Sequence, residues 1–138
     1  MPYSVLAFSY RKPGTTPEQF RTSFEGDHIR LMRELTGSSF PLVHTIHFIH
    51  RTEQQQAEGT TTRNPNTPAT VLIGAQEEFD YDAITEMTFE DEAGFKTFVA
   101  ITKQPKNAAR IAAEEDSWLD RARMTIVLKE DTAVRKRS

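Results

Sequence analysis

The chain contains no cysteine, only four histidines and no long apolar run. Without cysteine it has no disulfides, thiolate metal ligands or cysteine nucleophiles, which suits a reducing, cytoplasmic setting. No apolar run approaches the roughly 18 residues that span a bilayer. The opening MPYSVLAFSY lacks the basic region and cleavage site of a signal peptide. A net charge of −3 gives no basic surface for nucleic acid or an anionic membrane, so neither is an expected partner.

What the chain does contain fits one compact domain. Its 138 residues are 37% hydrophobic and 27% charged, which is enough apolar material for one core. We therefore predict a single domain over residues 1–138. Residues 52–69 are polar and rich in Thr, Asn, Pro and Gln, which indicates a long surface loop. Residues 131–138 form a solvated, basic tail.

Hydrophobic periodicity divides the chain into strands and helices. Strands are predicted at 3–11, 40–51, 83–89 and 121–130, and residues 70–76 form a short edge strand or an ordered return. Apolar residues at helical spacing predict a helix from Pro17 to Thr36, a second from Asp91 or Glu92 and a third from Pro105. The order β-α-β-loop-β-α-α-β is that of the α+β, ferredoxin-like split βαβ fold. That fold has a four-stranded antiparallel sheet with helices on one face.

The bulk of the side chains predicts which face of the sheet meets the helices. The bulkier residues are expected there: Leu6, Phe8 and Tyr10 in the first strand, Ile46 and Phe48 in the second. The opposite face is too apolar to remain in water, and its expected residues are Val5, Ala7, Val43, Thr45 and Ile49. We therefore expect a homodimer in which two sheets pack face to face.

Three of the four histidines, His44, His47 and His50, fall in one predicted strand. Because side chains alternate, His44 and His50 share the face of Ile46 and Phe48, whereas His47 points the other way. At about 3.3 Å per residue, His44 and His50 are roughly 20 Å apart. This strand alone cannot hold a three-histidine metal site, and no metal is predicted.

The fourth histidine, His28, interrupts the apolar stripe of the first helix, four residues after Phe24. Together these patterns predict an apolar cavity between this helix and the sheet, the usual form of a small-molecule site. Its expected apolar lining is Phe8, Phe20, Phe24 and Phe48, and its expected polar groups are His28, His44 or His50, and Tyr10. A single histidine on an apolar stripe is as often a satisfied core residue, so the pattern alone leaves both interpretations open.

Several segments resemble proteins of the EthD-domain family. TPEQFRTSFEGDHIRLMREL, at 16–35, is similar to the first helix of that domain, whose histidine corresponds to His28. FDYDAITEMTFEDEAGFKTF, at 79–98, and AEEDSWLD, at 113–120, resemble its second half. YSVLAFSYRKPGTTPEQF, TRNPNTPATVLIGAQEEFDYDAITEMTFEDE and WLDRARM are similar to the small fungal decarboxylases that accompany aromatic polyketide synthases. The likeness extends from residue 3 to about residue 130.

The resemblance implies a dimeric α+β barrel without a cofactor. It also implies a lyase of secondary metabolism that removes CO2 from a β-keto acid such as atrochrysone carboxylic acid. We assign His28 as the main acid–base group and His44 as its partner or as a donor to the ketone oxygen. Tyr10 would hold a phenolic or carboxylate oxygen. Three alternatives stay open for the same cavity: a polyketide cyclase or dehydratase, a cofactor-free oxygenase, and a dimeric binding module without catalysis.

Overall fold

The structure is a computed structural model that describes residues 1–55 and 59–137. Its four strands form one antiparallel sheet in the order β2-β3-β1-β4. The predicted α+β, ferredoxin-like architecture is therefore confirmed. The elements are β1 Tyr3–Ser9, α1 Pro17–Ser23, a π-helical turn Phe24–His28, α2 Ile29–Thr36, β2 Val43–Phe48, β3 Ala83–Phe89, α3 Glu92–Lys103, α4 Pro105–Glu115 and β4 Thr125–Lys129.

Three of the four strands are shorter than predicted. β1 ends at Ser9, β2 spans Val43–Phe48 within the predicted 40–51, and β4 spans Thr125–Lys129 within the predicted 121–130. Of the two forms expected for residues 70–76, the strand is not observed, and the chain returns there after a β-bridge between Arg51 and Ala69. This return leaves the side chains of Leu72 and Ile73 about nine-tenths exposed.

The first helical segment begins and ends where the sequence predicts. Thr16 accepts a hydrogen bond from the backbone of Gln19, and Gln19 reaches back to the Thr16 backbone, which closes a capping box. At the other end Gly37 has a φ of 52°, a conformation that glycine adopts without steric cost. The sequence did not predict the π-helical turn Phe24–His28, which interrupts the segment at its centre. Such turns occur frequently at functional sites.

The helices cover the face of β1 that carries its small side chains. Ala7 pairs with Thr85 of β3, which in turn pairs with Ile46 of β2, so these three share the covered face. Val5 and Ala7, expected on the open face, are instead buried beneath the helices. Bulk did not predict which face Phe8 takes. On the covered face, a large ring at the centre of the sheet would fill the space between the sheet and the helices.

The opposite face of the sheet is open. It carries Leu6 and Phe8, which were expected under the helices, and Val43 and Thr45, which were expected here. His47 also lies on this face and is exposed. Glu86, in the centre, has its carboxylate 3.8 Å from the Lys129 ammonium. Within the described residues, no helix has both the length and the hydropathy needed to cross a membrane.

Aromatic side chains form the core at one end of the helical layer. The buried cluster consists of Phe20, Phe24, Ala83, Trp118 and Leu119. The rings of Phe20 and Phe24 lie edge to face at 5.8 Å, and each is 6.1 Å from Phe48. These contacts fill the space that the sequence assigned to a cavity among these rings.

A buried ion cluster fixes the predicted loop 52–69 to the end of the sheet. Asp82 accepts hydrogen bonds from the Arg11 backbone at 2.7 Å and from the Arg51 guanidinium at 2.6 Å. Arg11 also donates to Asn64 at 3.0 Å. The predicted surface loop is buried at four of its residues, Thr62, Asn64, Pro68 and Ala69. Residues 56–58 of that loop lie outside the described residues, as does Ser138 of the tail, whose residues 131–137 are exposed.

We predict that Asp82→Asn lowers the free energy of unfolding by about 3–5 kcal/mol, because it leaves two buried guanidinium groups without a counter-ion. The side chains of Arg51 and Asp82 are only 1% and 4% exposed. Asp27→Asn is the matched control, since it removes an exposed ion pair with Arg30 and should cost about 0–1 kcal/mol. Urea unfolding followed by circular dichroism measures both changes, and equal effects would contradict the assignment.

Candidate active site

A cavity of about 450 Å³ lies between the helices and the centre of the sheet. Its floor is formed by small side chains of the central strands, Ala7, Ser9 and Thr85. Its walls come from the π-helical turn, α2, α3 and α4, and its lining is mostly apolar. A volume of this size is typical of small-molecule sites. The space exists because β1 presents alanine and serine to the helices where larger residues would fill it.

A second cavity of about 460 Å³ lies beyond the end of β2. It is bounded by Phe48, His50 and the exposed return at 70–73. Volume therefore does not distinguish the two cavities, and the chemistry of the lining does. The first contains His28, His44 and Glu115 within its walls, whereas the second has only the exposed His50. We take the first as the candidate active site.

His28 is held in the cavity wall by a carboxylate. Its Nδ1 lies 2.7 Å from Oε1 of Glu114, and the indole N–H of Trp118 donates to Oε2 of the same carboxylate at 2.6 Å. An ionised carboxylate only accepts, so Nδ1 carries the proton and Nε2 remains for a ligand. The ring also packs edge to face against Trp118 at 5.1 Å and Phe24 at 5.4 Å. These contacts fix both the orientation of the imidazole and its tautomer.

A second carboxylate, Glu115, lies near the same nitrogen of His28. Its Oε2 is 4.0 Å from Nδ1 of His28, and its Oε1 accepts a hydrogen bond from Nε of Arg121 at 3.1 Å. Burial raises the pKa of Glu115 above its ordinary value, against the opposing effect of the His28 charge. The cavity wall therefore carries an imidazole whose Nδ1 lies within 4.0 Å of two carboxylates.

His44 lies in the cavity wall on β2, in a more apolar environment than that of His28. Its ring stacks on Phe40 at 5.7 Å and lies 6.4 Å from Phe24. Burial, and then the nearby charge of His28, lower the pKa of His44 from 6.5 to about 4. At neutral pH His44 is an uncharged imidazole that can donate one hydrogen bond or accept one.

The structure brings together three of the predicted site residues. His28, His44 and Phe24 line the cavity. Phe20 and Phe48 belong to the aromatic cluster beside it and do not line it. Their expected place in the lining is therefore wrong, because their rings pack against each other.

The remaining predicted residues lie elsewhere. Phe8 and Tyr10 contact Tyr81 instead, at 5.2 Å and 6.4 Å between ring centroids. Their expected position in the cavity is wrong because the helices cover the other face of β1. His50 is exposed and bonds the Thr70 hydroxyl at 2.7 Å, so it too is remote from the cavity.

Glu114, Glu115, Trp118 and Thr85 are site residues that the sequence interpretation missed. One signal was present for Glu115. It follows Ile111 by four residues and precedes Trp118 by three, so it interrupts an apolar stripe as His28 does. No comparable signal marks Glu114 or Thr85, whose importance depends on contacts between distant segments. Across residues 1–55 and 59–137, no group of three or more histidine, aspartate or glutamate side chains is arranged to hold a metal ion.

This sheet and cavity define an α+β protein of ferredoxin-like fold with a candidate small-molecule site between its two layers. The EthD domain family matches residues 12–122, and the chain belongs to that family. No curated protein matches the chain in sequence.

Solved structures of similar fold come from several organisms. An Arabidopsis thaliana protein has a TM-score of 0.56 at 15% identity, over 97% of this chain and 99% of that one. An EthD family protein from Bacillus halodurans has a TM-score of 0.52 at 12% identity, over 96% and 100%. The cofactor-independent oxygenase SnoaB of Streptomyces nogalater has a TM-score of 0.49 at 9% identity, over 96% and 95%. At these identities the likeness to the first two structures establishes the fold and nothing about the reaction.

We predict that the ring protons of His44 titrate with a pKa of about 4 in NMR spectra. Between pH 6.5 and 4 the unfolded chain then binds more protons at this residue than the folded protein does. Stability that His44 contributes above pH 6.5 is therefore lost as the pH falls towards 4. The raised pKa of Glu115 changes the free energy of unfolding with pH in the opposite direction. The contribution of His44 must therefore be measured as the difference between wild type and a variant.

The variant is His44→Phe, which removes this titration. Its free energy of unfolding relative to wild type should improve as the pH falls through that window. A difference between His44→Phe and wild type that does not change with pH would contradict the lowered pKa.

Proposed function

We propose that the protein is a cofactor-independent decarboxylase of an aromatic polyketide β-keto acid of the anthracenone carboxylic acid type. The observation that carries this proposal is the His28–Glu114 pair, with Nδ1 to Oε1 at 2.7 Å, in the wall of a mostly apolar cavity of about 450 Å³. Membership of the EthD family supports it, as does the resemblance of the sequence to fungal decarboxylases of these acids.

The reaction requires a place for the electrons of the breaking bond. When the bond between the ring carbon and the carboxylate breaks, its electron pair moves into the neighbouring ketone and CO2 departs. A proton donor at the ketone oxygen stabilises the enolate that forms. Nε2 of protonated His28 supplies this proton, and the Glu114 carboxylate balances the positive charge on the ring. Protonation of the carbon then completes the reaction, with a net uptake of one proton from solvent.

The other polar groups have separate tasks in this mechanism. His44, uncharged at neutral pH because burial lowers its pKa to about 4, offers a hydrogen bond to a ketone or phenol oxygen without attracting the carboxylate. Glu115, whose pKa burial raises, lies beside His28. The apolar walls exclude water, which otherwise stabilises the carboxylate more than the transition state. Because a β-keto acid already loses CO2 readily, a proton donor and a cavity that excludes water are enough for catalysis in this mechanism.

We predict that His28→Gln lowers kcat for CO2 release by about 10²–10⁴-fold, the usual contribution of a general acid. Glu114→Gln should also lower kcat, because an amide neither fixes the tautomer nor balances the charge. His50→Gln is the matched control, because His50 is exposed and remote from the cavity, and it should retain wild-type turnover. The assay follows CO2 release and product mass, with circular dichroism to confirm folding.

Wild-type turnover in His28→Gln would remove this residue from the mechanism. The product mass separates the alternative reactions on the same cavity. Loss of one CO2 supports the proposal, whereas loss of one water would assign a dehydratase or cyclase, and gain of oxygen an oxygenase. An unchanged ligand that nonetheless binds would indicate a binding module.

We further propose that two copies associate through their open sheet faces as a homodimer. Val43 and Val127 lie on this face and are 53% and 52% exposed in the single chain. Leu6 and Phe8 lie between them on β1. A second copy supplies an identical apolar face, which covers all four side chains at once.

Light scattering should therefore give a mass twice the 15.7 kDa of one chain. Val127→Glu places a charge in the proposed interface and should shift the protein towards the monomer. Leu72→Glu, at a side chain that is 90% exposed on the return beyond β2, is the control and should remain dimeric. A monomeric wild-type protein would contradict the proposal.

A further inference from the structure

Thr85 occupies the centre of the cavity floor. It lies in the middle of β3, and its neighbours across the sheet are Ala7 of β1 and Ile46 of β2. The residue is only 2% exposed and lines the cavity. Neither neighbouring side chain has a polar atom. The threonine hydroxyl is therefore surrounded by apolar groups on both sides in the sheet.

The Oγ1 of Thr85 is fully buried and has no hydrogen-bond partner in the described part of the chain. Other buried threonines do not share this property. Thr36 donates to the Met32 carbonyl at 2.7 Å, and Thr62 donates to Asp80 at 2.5 Å. Arg63 also has an unpaired atom, Nη1, but its Nη2 bonds the Asp120 carboxylate at 2.8 Å. Thr85 is thus a buried residue with its only side-chain polar group unpaired.

Such a group costs stability, since its hydroxyl is removed from water without receiving another partner. Valine has the same shape, favours strands as strongly and carries no polar atom. For the folding of the empty protein, valine is therefore the more favourable residue at position 85. The presence of threonine at the floor of a cavity indicates that its partner comes from a bound molecule.

We propose that Thr85 is a specificity-determining residue whose hydroxyl bonds a ring oxygen of the bound ligand. The ligand class is a hydroxylated or carbonyl-bearing polycyclic aromatic compound, since the cavity is otherwise mostly apolar. A phenol can donate to Oγ1, and a ring carbonyl can accept from it. The proposal rests on the proposed function for the nature of the ligand, but it concerns binding and not the loss of CO2.

The test measures the binding of two probes to wild type, Thr85→Val and Thr85→Ser by fluorescence titration. The probes are 1,8-dihydroxyanthraquinone, which carries ring oxygens, and anthracene, which has the same three-ring frame without them. Thr85→Val should weaken binding of the anthraquinone by about 5–20-fold, the effect of one lost hydrogen bond. It should leave the affinity for anthracene unchanged. Thr85→Ser retains the hydroxyl and should restore most of the lost affinity.

Thermal unfolding of the empty protein provides the second measurement. Thr85→Val should unfold at the same temperature as wild type or higher, whereas Thr85→Ser should unfold lower because it loses a buried methyl group. A variant that gains stability and loses affinity for one probe only has lost a ligand contact and not its fold.

Three results would overturn the inference. They are wild-type affinity of Thr85→Val for the anthraquinone, an equal loss for both probes, and a failure of the wild-type protein to bind the anthraquinone. The proposed function fails separately, in the CO2 assay. A protein that binds the anthraquinone through Thr85 but releases no CO2 would retain this inference and lose the decarboxylase assignment.

Discussion

The carboxylate of Glu114 joins the core to the candidate chemistry. One oxygen accepts the indole N–H of buried Trp118 and the other accepts from His28. The imidazole of the first helical segment is therefore oriented by a residue at the end of α4, 86 positions along the chain. Because Trp118 is itself held in the aromatic cluster, the ring of His28 has little freedom to turn. A fixed donor needs no reorganisation as charge develops on a bound ketone.

The same arrangement explains why aromatic packing and an open cavity coexist in so small a protein. The aromatic residues Phe20, Phe24 and Trp118 fill one end of the space between helices and sheet, and their packing stabilises the fold. The other end rests on Ala7, Ser9 and Thr85, which are too small to fill it. Along the strands, the packed aromatic core therefore occupies one end and the cavity the other. His28 lies where the two regions meet.

The sequence predicts the fold well because the fold depends on local patterns. Periodicity located all four strands, and Thr16, Pro17 and Gly37 set the bounds of the first helical segment. The assignment of the two faces of β1 failed because both faces are apolar, and alternation alone does not say which one meets the helices. That single error moved Phe8 and Tyr10 into the expected cavity.

The candidate site was only partly predictable for a related reason. His28 and Glu115 could be found because each interrupts an apolar helical stripe. His44 could be placed once the face of β2 was assigned. Glu114 could not, since nothing in its own helix distinguishes it from a solvent-exposed residue. Its role comes from a contact with the distant His28, which periodicity does not encode.

The two imidazoles of the cavity have environments that separate their roles. His44 faces Phe40 and Phe24, and burial keeps it neutral at physiological pH. His28 has Oε1 of Glu114 at 2.7 Å and Oε2 of Glu115 at 4.0 Å from its Nδ1. The charge of His28 also lowers the pKa of His44. Different environments for similar titratable groups are the usual basis for assigning an acid and a neutral donor. This difference is why the proposed mechanism assigns the proton transfer to His28 and only the orientation of the substrate oxygen to His44.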